Sequence, residues 1–182
     1  IVASGLVAVS AFGSLSYFGR IRADTLPLTT LLGPGLLLAL LGGLLGGLLA
    51  RLLIASATGL PDRFSGWRRR YPVRFAAACG LAVALIGLAS PMDVMGSGHQ
   101  HARELLRGEA DGHWPGLFTG LKLIASWLSA WSGVPGGMFA PSLSMGASLG
   151  MDVAWLTNSP HVQALIALGM AAFLAAVTQT PI

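Results

Sequence analysis

The sequence predicts an all-α integral membrane protein, and three observations predict it. Its 182 residues are 54% hydrophobic and 10% charged, with a mean hydropathy of +0.71, whereas a soluble domain carries about 25% charged residues. The apolar residues gather into six long runs separated by short polar segments. One apolar region is also interrupted by glycine and proline, which lipid tolerates only where the broken backbone faces protein or water. A soluble core could not take up this much leucine, alanine and glycine without leaving apolar faces in water.

Crossing a bilayer takes about 20 apolar residues as a helix, and backbone in lipid must satisfy its own hydrogen bonds. The runs 1–18, 26–57, 75–92, 115–131, 138–156 and 162–177 are therefore read as membrane helices of one domain spanning 1–182. The second carries Gly42, Gly43, Gly46 and Gly47, two overlapping G-x-x-x-G pairs that let another helix approach closely. Cys79, alone in the sequence, sits inside the third run and reads as a small packing residue.

The polar segments are equally informative. Arg63, Arg68, Arg69, Arg70 and Arg74 form the densest positive cluster, predicted to be a cytoplasmic loop by the positive-inside rule. A phosphoinositide or nucleic-acid contact is the second reading of that cluster. The formal charge of +4 comes from short clusters rather than a basic face, so nucleic acid is not the expected partner of the chain. Residues 91–115 form a polar connector with one short helix. His99, His101 and Glu104 could share one side of a turn, but a solvated loop is the reading adopted and no metal is expected. Asp152, late in the fifth run, is read as interfacial. The chain opens on Ile1 and closes on Thr180-Pro181-Ile182 directly after an apolar run, so it reads as cut from a longer protein.

The stretch Leu121 to Gly150, LKLIASWLSAWSGVPGGMFAPSLSMGASLG, carries the chemistry. A helix runs into Ser132-Gly133-Val134-Pro135-Gly136-Gly137, and a new helical pattern begins near Met138. Free N–H groups in lipid cost several kcal/mol each, so the break should line a cavity. Gly136 and Gly137 are expected to make the tight turn, and Pro141 suits a first helical turn, which places the helix start near Phe139 or Ala140. The N–H groups of Met138 and Phe139 then lie at the positive end of the helix dipole without carbonyl partners, an arrangement that binds anions. No Lys or Arg occurs from Leu123 to Ile182, so an anion held there is expected to meet partial charges only. Conduction favours that balance between capture and release.

At these residues the sequence resembles the CLC family of chloride channels and chloride/proton antiporters. The family's G-x-F-x-P motif stands here as Gly137-Met138-Phe139-Ala140-Pro141, and the similarity runs back through Ser132-Gly133 and Lys122 and forward through Ser142-Leu143 and Gly146-Ala147. Met95-Gly96-Ser97-Gly98-His99 and Gly169-Met170-Ala171-Ala172 look like further family elements. Gln179 and Thr180 depart from the basic and small residues usual before the proline of that last element.

The resemblance implies a CLC-type fold, an inverted-repeat bundle of broken, tilted helices, present here in part as most of the second half. It implies a multi-pass protein of the bacterial cytoplasmic membrane and a homodimer in the lipid bilayer, carrying chloride without a cofactor. It assigns Met138 and Phe139 as N–H donors, Gly137 as the turn, Ala140 and Pro141 as the helix start, and Phe139 as a wall of the pore. The family's G-S-G-x-P and G-x-E-x-P strings do not occur in the 182 residues, and Tyr17 and Tyr71 do not match its pore tyrosine. The acids that separate channel from antiporter are thus expected outside this sequence, and the isolated piece is not expected to conduct.

Two competing readings remain. Gly146-Ala147-Ser148-Leu149-Gly150 matches the G-x-S-x-G of serine hydrolases, which would make Ser148 an intramembrane nucleophile. That chemistry needs a strained turn or a paired histidine, and Ser148 falls inside a helical pattern with His161 beyond its end, so no enzyme is expected. The other is a CLC-like membrane scaffold that has lost transport.

Overall fold

The computed structural model describes Ser10 and residues 28–58, 63–90, 94–108, 115–134 and 136–179. The first apolar run, 1–18, therefore falls almost wholly outside the described residues. Every regular element among those described is helical: α1 (Leu28–Thr58), α2 (Arg63–Arg70), α3 (Pro72–Ala89), α4 (His99–Arg107), α5 (Leu117–Trp131), α6 (Phe139–Leu156) and α7 (Val162–Thr178).

Two of these, α1 over Leu31–Thr58 and α3, are long and apolar enough to cross a membrane. With 31 residues, α1 extends about 46 Å at 1.5 Å per residue, more than a hydrocarbon core of about 30 Å, so crossing requires tilt. Its Leu32, Leu36, Leu40, Leu44 and Leu48, spaced by four, are exposed on one side, while Leu38 and Leu49 are buried on the other. The buried side meets α7. A Cβ on Gly46 would lie 2.7 Å from the Ala176 Cβ, whereas one on Gly43 or Gly47 would meet nothing within 4 Å. Only one of the overlapping glycine pairs is thus used between the described helices.

The arginine segment is not the loop expected from sequence. Arg63 to Arg70 form α2, and α3 begins at Pro72 rather than Phe75 because proline takes the start of the helix, where no N–H is needed. The 91–115 connector contains the expected short helix. Gly98 and Gly108 close α4 at either end in left-handed backbone, at φ of 75° and 74°. Its buried Ala102, Leu105 and Leu106 pack on Ala147 of α6 and on Ile166 and Met170 of α7.

Helix α6 is the centre of the bundle, packed against α1, α4, α5 and α7. It begins at Phe139, as the motif predicts, and buries Ser142, Ser148 and every residue from Ser144 to Gly150. Its contact with α7 is backbone on backbone: a Cβ on Gly146 would lie 2.5 Å from the Gly169 carbonyl oxygen, and Gly150 presses on Leu165 and Ile166. Burial explains its composition, since a helix wrapped by other helices needs small faces and self-satisfied hydroxyls rather than a leucine surface. Ser142 Oγ donates to Met138 O at 2.6 Å and Ser144 Oγ to Pro141 O at 2.9 Å.

Two substitutions separate packing glycines from open ones. Gly146→Val is expected to lower the stability of the purified protein by about 1–3 kcal/mol through overpacking, while Gly47→Ala changes it by less than about 0.5 kcal/mol. Unfolding followed in detergent by denaturant titration reads both, and an unchanged midpoint for Gly146→Val contradicts the contact.

Candidate functional site

The chain leaves α5 through Ser132 and Gly133. Gly133 has φ of 85°, and its N–H returns to Ala130 O at 3.1 Å, closing the helix end. The Ser132 hydroxyl donates to Ser129 O at 2.6 Å and accepts the Val134 N–H at 3.3 Å. The left-handed residue of this turn is therefore Gly133. Gly137, expected to serve the turn, is not left-handed, and a Cβ there would meet nothing within 4 Å; Gly136 likewise faces open space. Neither close packing nor left-handed backbone explains Gly137. What it leaves open is the approach to the chain just before α6.

Helix α6 starts with Met138 at its N-cap and no side chain capping the end. Met138 O accepts both the Ser142 N–H, at 3.1 Å, and the Ser142 hydroxyl. Gly137, Met138 and Pro141 line an open-sided cavity of about 550 Å³ bordered by α1, α2, α3, α5 and the turn at Val94–Gly96. Phe139 and Ala140 do not line it, and the Phe139 side chain is 64% exposed on the described surface.

The same cavity is lined by Arg68 and Lys122, so the expectation of partial charges alone does not describe its wall. Arg68 comes from far upstream in sequence and Lys122 from the position just before Leu123, so a count from Leu123 onward registers neither. Lys122 is 2% exposed, and its Nζ donates to Val94 O at 2.6 Å and Gly96 O at 2.7 Å. It thereby clamps a turn that is also pressed on α6: Gly98, at φ of 75°, would place a Cβ 2.6 Å from Ser144 Oγ. Arg68 donates to Ser56 O at 2.7 Å, satisfying a carbonyl in the last turn of α1.

Other residues singled out in the sequence have structural partners. Asp152 Oδ2 accepts the N–H of Gly116, the N-cap of α5, at 3.0 Å, tying α6 to the start of α5. Ser148 is 1% exposed, and the glycines flanking it are packing glycines of the α6–α7 contact rather than parts of a strained nucleophile turn. The His101 ring stacks on Phe118 at 3.9 Å while His99 Nδ1 meets Ser97 Oγ at 2.9 Å. His99, His101 and Glu104 do not converge on a metal position.

A family model described as voltage-gated chloride channel matches residues 1–182. Similar relatives carry the name voltage-gated ClC-type chloride channel ClcB. The one from Salmonella dublin is 37% identical over 109 residues, covering 57% of this chain and 26% of the relative. That from Citrobacter koseri is 37% identical over 109 residues, with 56% and 26% covered, and that from Escherichia coli O81 is 36% identical over 115 residues, with 57% and 26% covered. The matches thus take in about a quarter of each relative's length. No solved structure gives a match.

Lys122→Met keeps the aliphatic stem but strands the buried carbonyl of Val94, at about 1–3 kcal/mol, and removes the bond to the carbonyl of the exposed Gly96. Amide hydrogen exchange across Met95–Gln100 is expected to accelerate in Lys122→Met and to stay near the parent rate in Lys122→Arg. Equal protection in all three proteins would show that the clamp does not hold the turn.

Proposed function

The chain belongs to the voltage-gated chloride channel (CLC) family, and from that premise we propose that it contributes part of a chloride pathway in the bacterial cytoplasmic membrane. The whole protein is a multi-pass homodimer in this reading. Chloride is held by the backbone N–H groups of Met138 and Phe139 at the start of α6, with Gly137 giving access and Ala140 and Pro141 beginning the helix.

One observation carries the reading. Gly137 needs no left-handed backbone and touches no neighbour, yet it stands immediately before an uncapped helix start beside a cavity. Open glycines also occur at Gly43 and Gly47; what marks Gly137 is its place before the uncapped helix start, where it leaves room for a ligand to reach the backbone. The uncapped N–H groups at the positive end of an 18-residue helix favour an anion, and such donors bind without a covalent or redox step. N–H donors that strip an ion's water yet release it suit conduction, with Arg68 and Lys122 adding positive charge to the same cavity wall.

The body of α6 is packed against α1, α4, α5 and α7, which fixes the direction of its open first turn, where Gly136, Gly137 and Phe139 are exposed, toward the cavity lined by Gly137, Met138 and Pro141. The glycine pair of α1 and the exposed leucines of α1 and α3 suit a membrane setting.

Phe139→Pro removes one N–H donor at a position where proline fits the helix. In the intact protein it is expected to insert normally and to lower chloride flux in liposomes several-fold, a size consistent with loss of a hydrogen bond to a charged group. Flux equal to the parent's would refute the assignment. The same liposomes, assayed with and without a pH gradient, distinguish an uncoupled channel from a proton-coupled antiporter, and the absence of any chloride flux favours the non-transporting scaffold.

A further inference from the structure

Helix α2 lies where two apolar spans end, between Thr58 of α1 and Pro72 of α3. It is fixed on its inner side. Arg68 is bonded to Ser56 O, the Trp67 ring packs edge-on against Phe75 at 5.5 Å, and Phe75 packs edge-on against Trp131 at 5.1 Å. Arg69, Arg70 and Arg74 remain exposed.

These guanidiniums are not scattered. The Arg70 and Arg74 Cζ atoms lie 5.7 Å and 5.2 Å from the centroid of the same Tyr71 ring, close enough for each to interact with its face. Tyr71 and Trp67 are each 40% exposed beside them. From Arg63 to Ser90 the sequence contains no Asp or Glu. Arg74 also stands in the first turn of α3, where the helix dipole disfavours a cation. Membrane topology asks only for positive charge on one side; it does not require two guanidiniums held at one aromatic ring, one of them at an unfavourable helix position. Like charges brought together in this way call for an anion between or beside them, and Tyr and Trp at an apolar–polar boundary favour the headgroup level.

We propose that Arg70 and Arg74, gathered at Tyr71, together with the exposed Arg69 adjacent in sequence, bind the headgroup phosphate of an anionic phospholipid. The site rests on the membrane reading given above and is independent of the chloride pathway. Guanidinium pairs suit phosphate oxygens through forked hydrogen bonds, and the anchored inner side of α2 means little ordering is lost on binding.

The test uses the full-length protein in vesicles containing either brominated phosphatidylglycerol or brominated phosphatidylcholine. The quenching of Trp67 is taken as the difference between the parent and Trp67→Phe. Stronger quenching by the anionic lipid is expected, with the apparent affinity falling about fivefold per arginine removed in Arg69→Gln, Arg70→Gln and Arg74→Gln combined. The corresponding triple lysine variant, which keeps the charge, is expected to retain most of the preference. Equal quenching by the two lipids, or an unchanged preference in the glutamine variant that still inserts, overturns the proposal. Displacement of the anionic lipid by inorganic phosphate or a short DNA duplex at matched phosphate concentration also overturns it, in favour of a soluble phosphate or a nucleic-acid site. A protein that fails to enter vesicles refutes the membrane reading instead, and unaltered chloride flux in the glutamine variant supports a site separate from the pathway.

Discussion

The backbone contact between α6 and α7 is the constraint on which the rest depends. Lipid offers helices no hydrophobic reason to associate, so close packing has to come from small residues that let backbones meet. Gly146, Gly150 and Gly169 provide that contact, and Gly42 and Gly46 bring α1 to another part of α7. Once α6 is held on several sides, Ser142 and Ser144 can be buried with their hydroxyls turned back onto the carbonyls of Met138 and Pro141. Its first turn is then fixed relative to α5, and the open backbone at Gly137 is held at the cavity wall.

The cavity wall is maintained by basic groups engaged with carbonyls. Lys122 spends two donors on the turn at Val94 and Gly96, and Arg68 spends one on the end of α1. Each brings a basic side chain to the cavity while closing a backbone end that would otherwise lack a partner. Charge near the proposed anion position and integrity of the surrounding chain are thus supplied by the same side chains.

Much of the architecture was legible in the sequence because long apolar runs leave few alternatives to helix. The start of α6 followed from Gly137 to Pro141, and the short helix in the polar connector was expected. Local boundaries were less legible. Pro72 moved the start of α3 earlier than its hydropathy suggested, and Arg63–Arg70 formed a helix because a basic face can lie outward while Trp67 and Arg68 anchor inward. The left-handed turn belonged to Gly133, a position that composition alone cannot distinguish from Gly136 or Gly137. Arg68 at the cavity was illegible for a different reason, since it is distant in sequence and arrives by tertiary packing. Lys122 was legible beside the motif, but its turn toward the cavity wall depends on the carbonyls of Val94 and Gly96. The glycines around Ser148 show the converse, since a local pattern shared with a nucleophile turn serves here as a helix contact.

Ser56 gathers several of these threads in one residue. Its carbonyl receives Arg68, its hydroxyl donates to Leu52 O at 2.7 Å, and the same hydroxyl accepts Trp127 Nε1 at 3.0 Å. The end of α1, the basic helix α2 and the middle of α5 thus share Ser56 as a partner, through its carbonyl for Arg68 and its hydroxyl for Trp127, and the residue is 2% exposed. Groups sharing a buried partner do not contribute additively. A change at Ser56 would therefore be felt at the end of α1, at Arg68 and at Trp127 together, whereas Arg69, Arg70 and Arg74 stand outside that set of bonds.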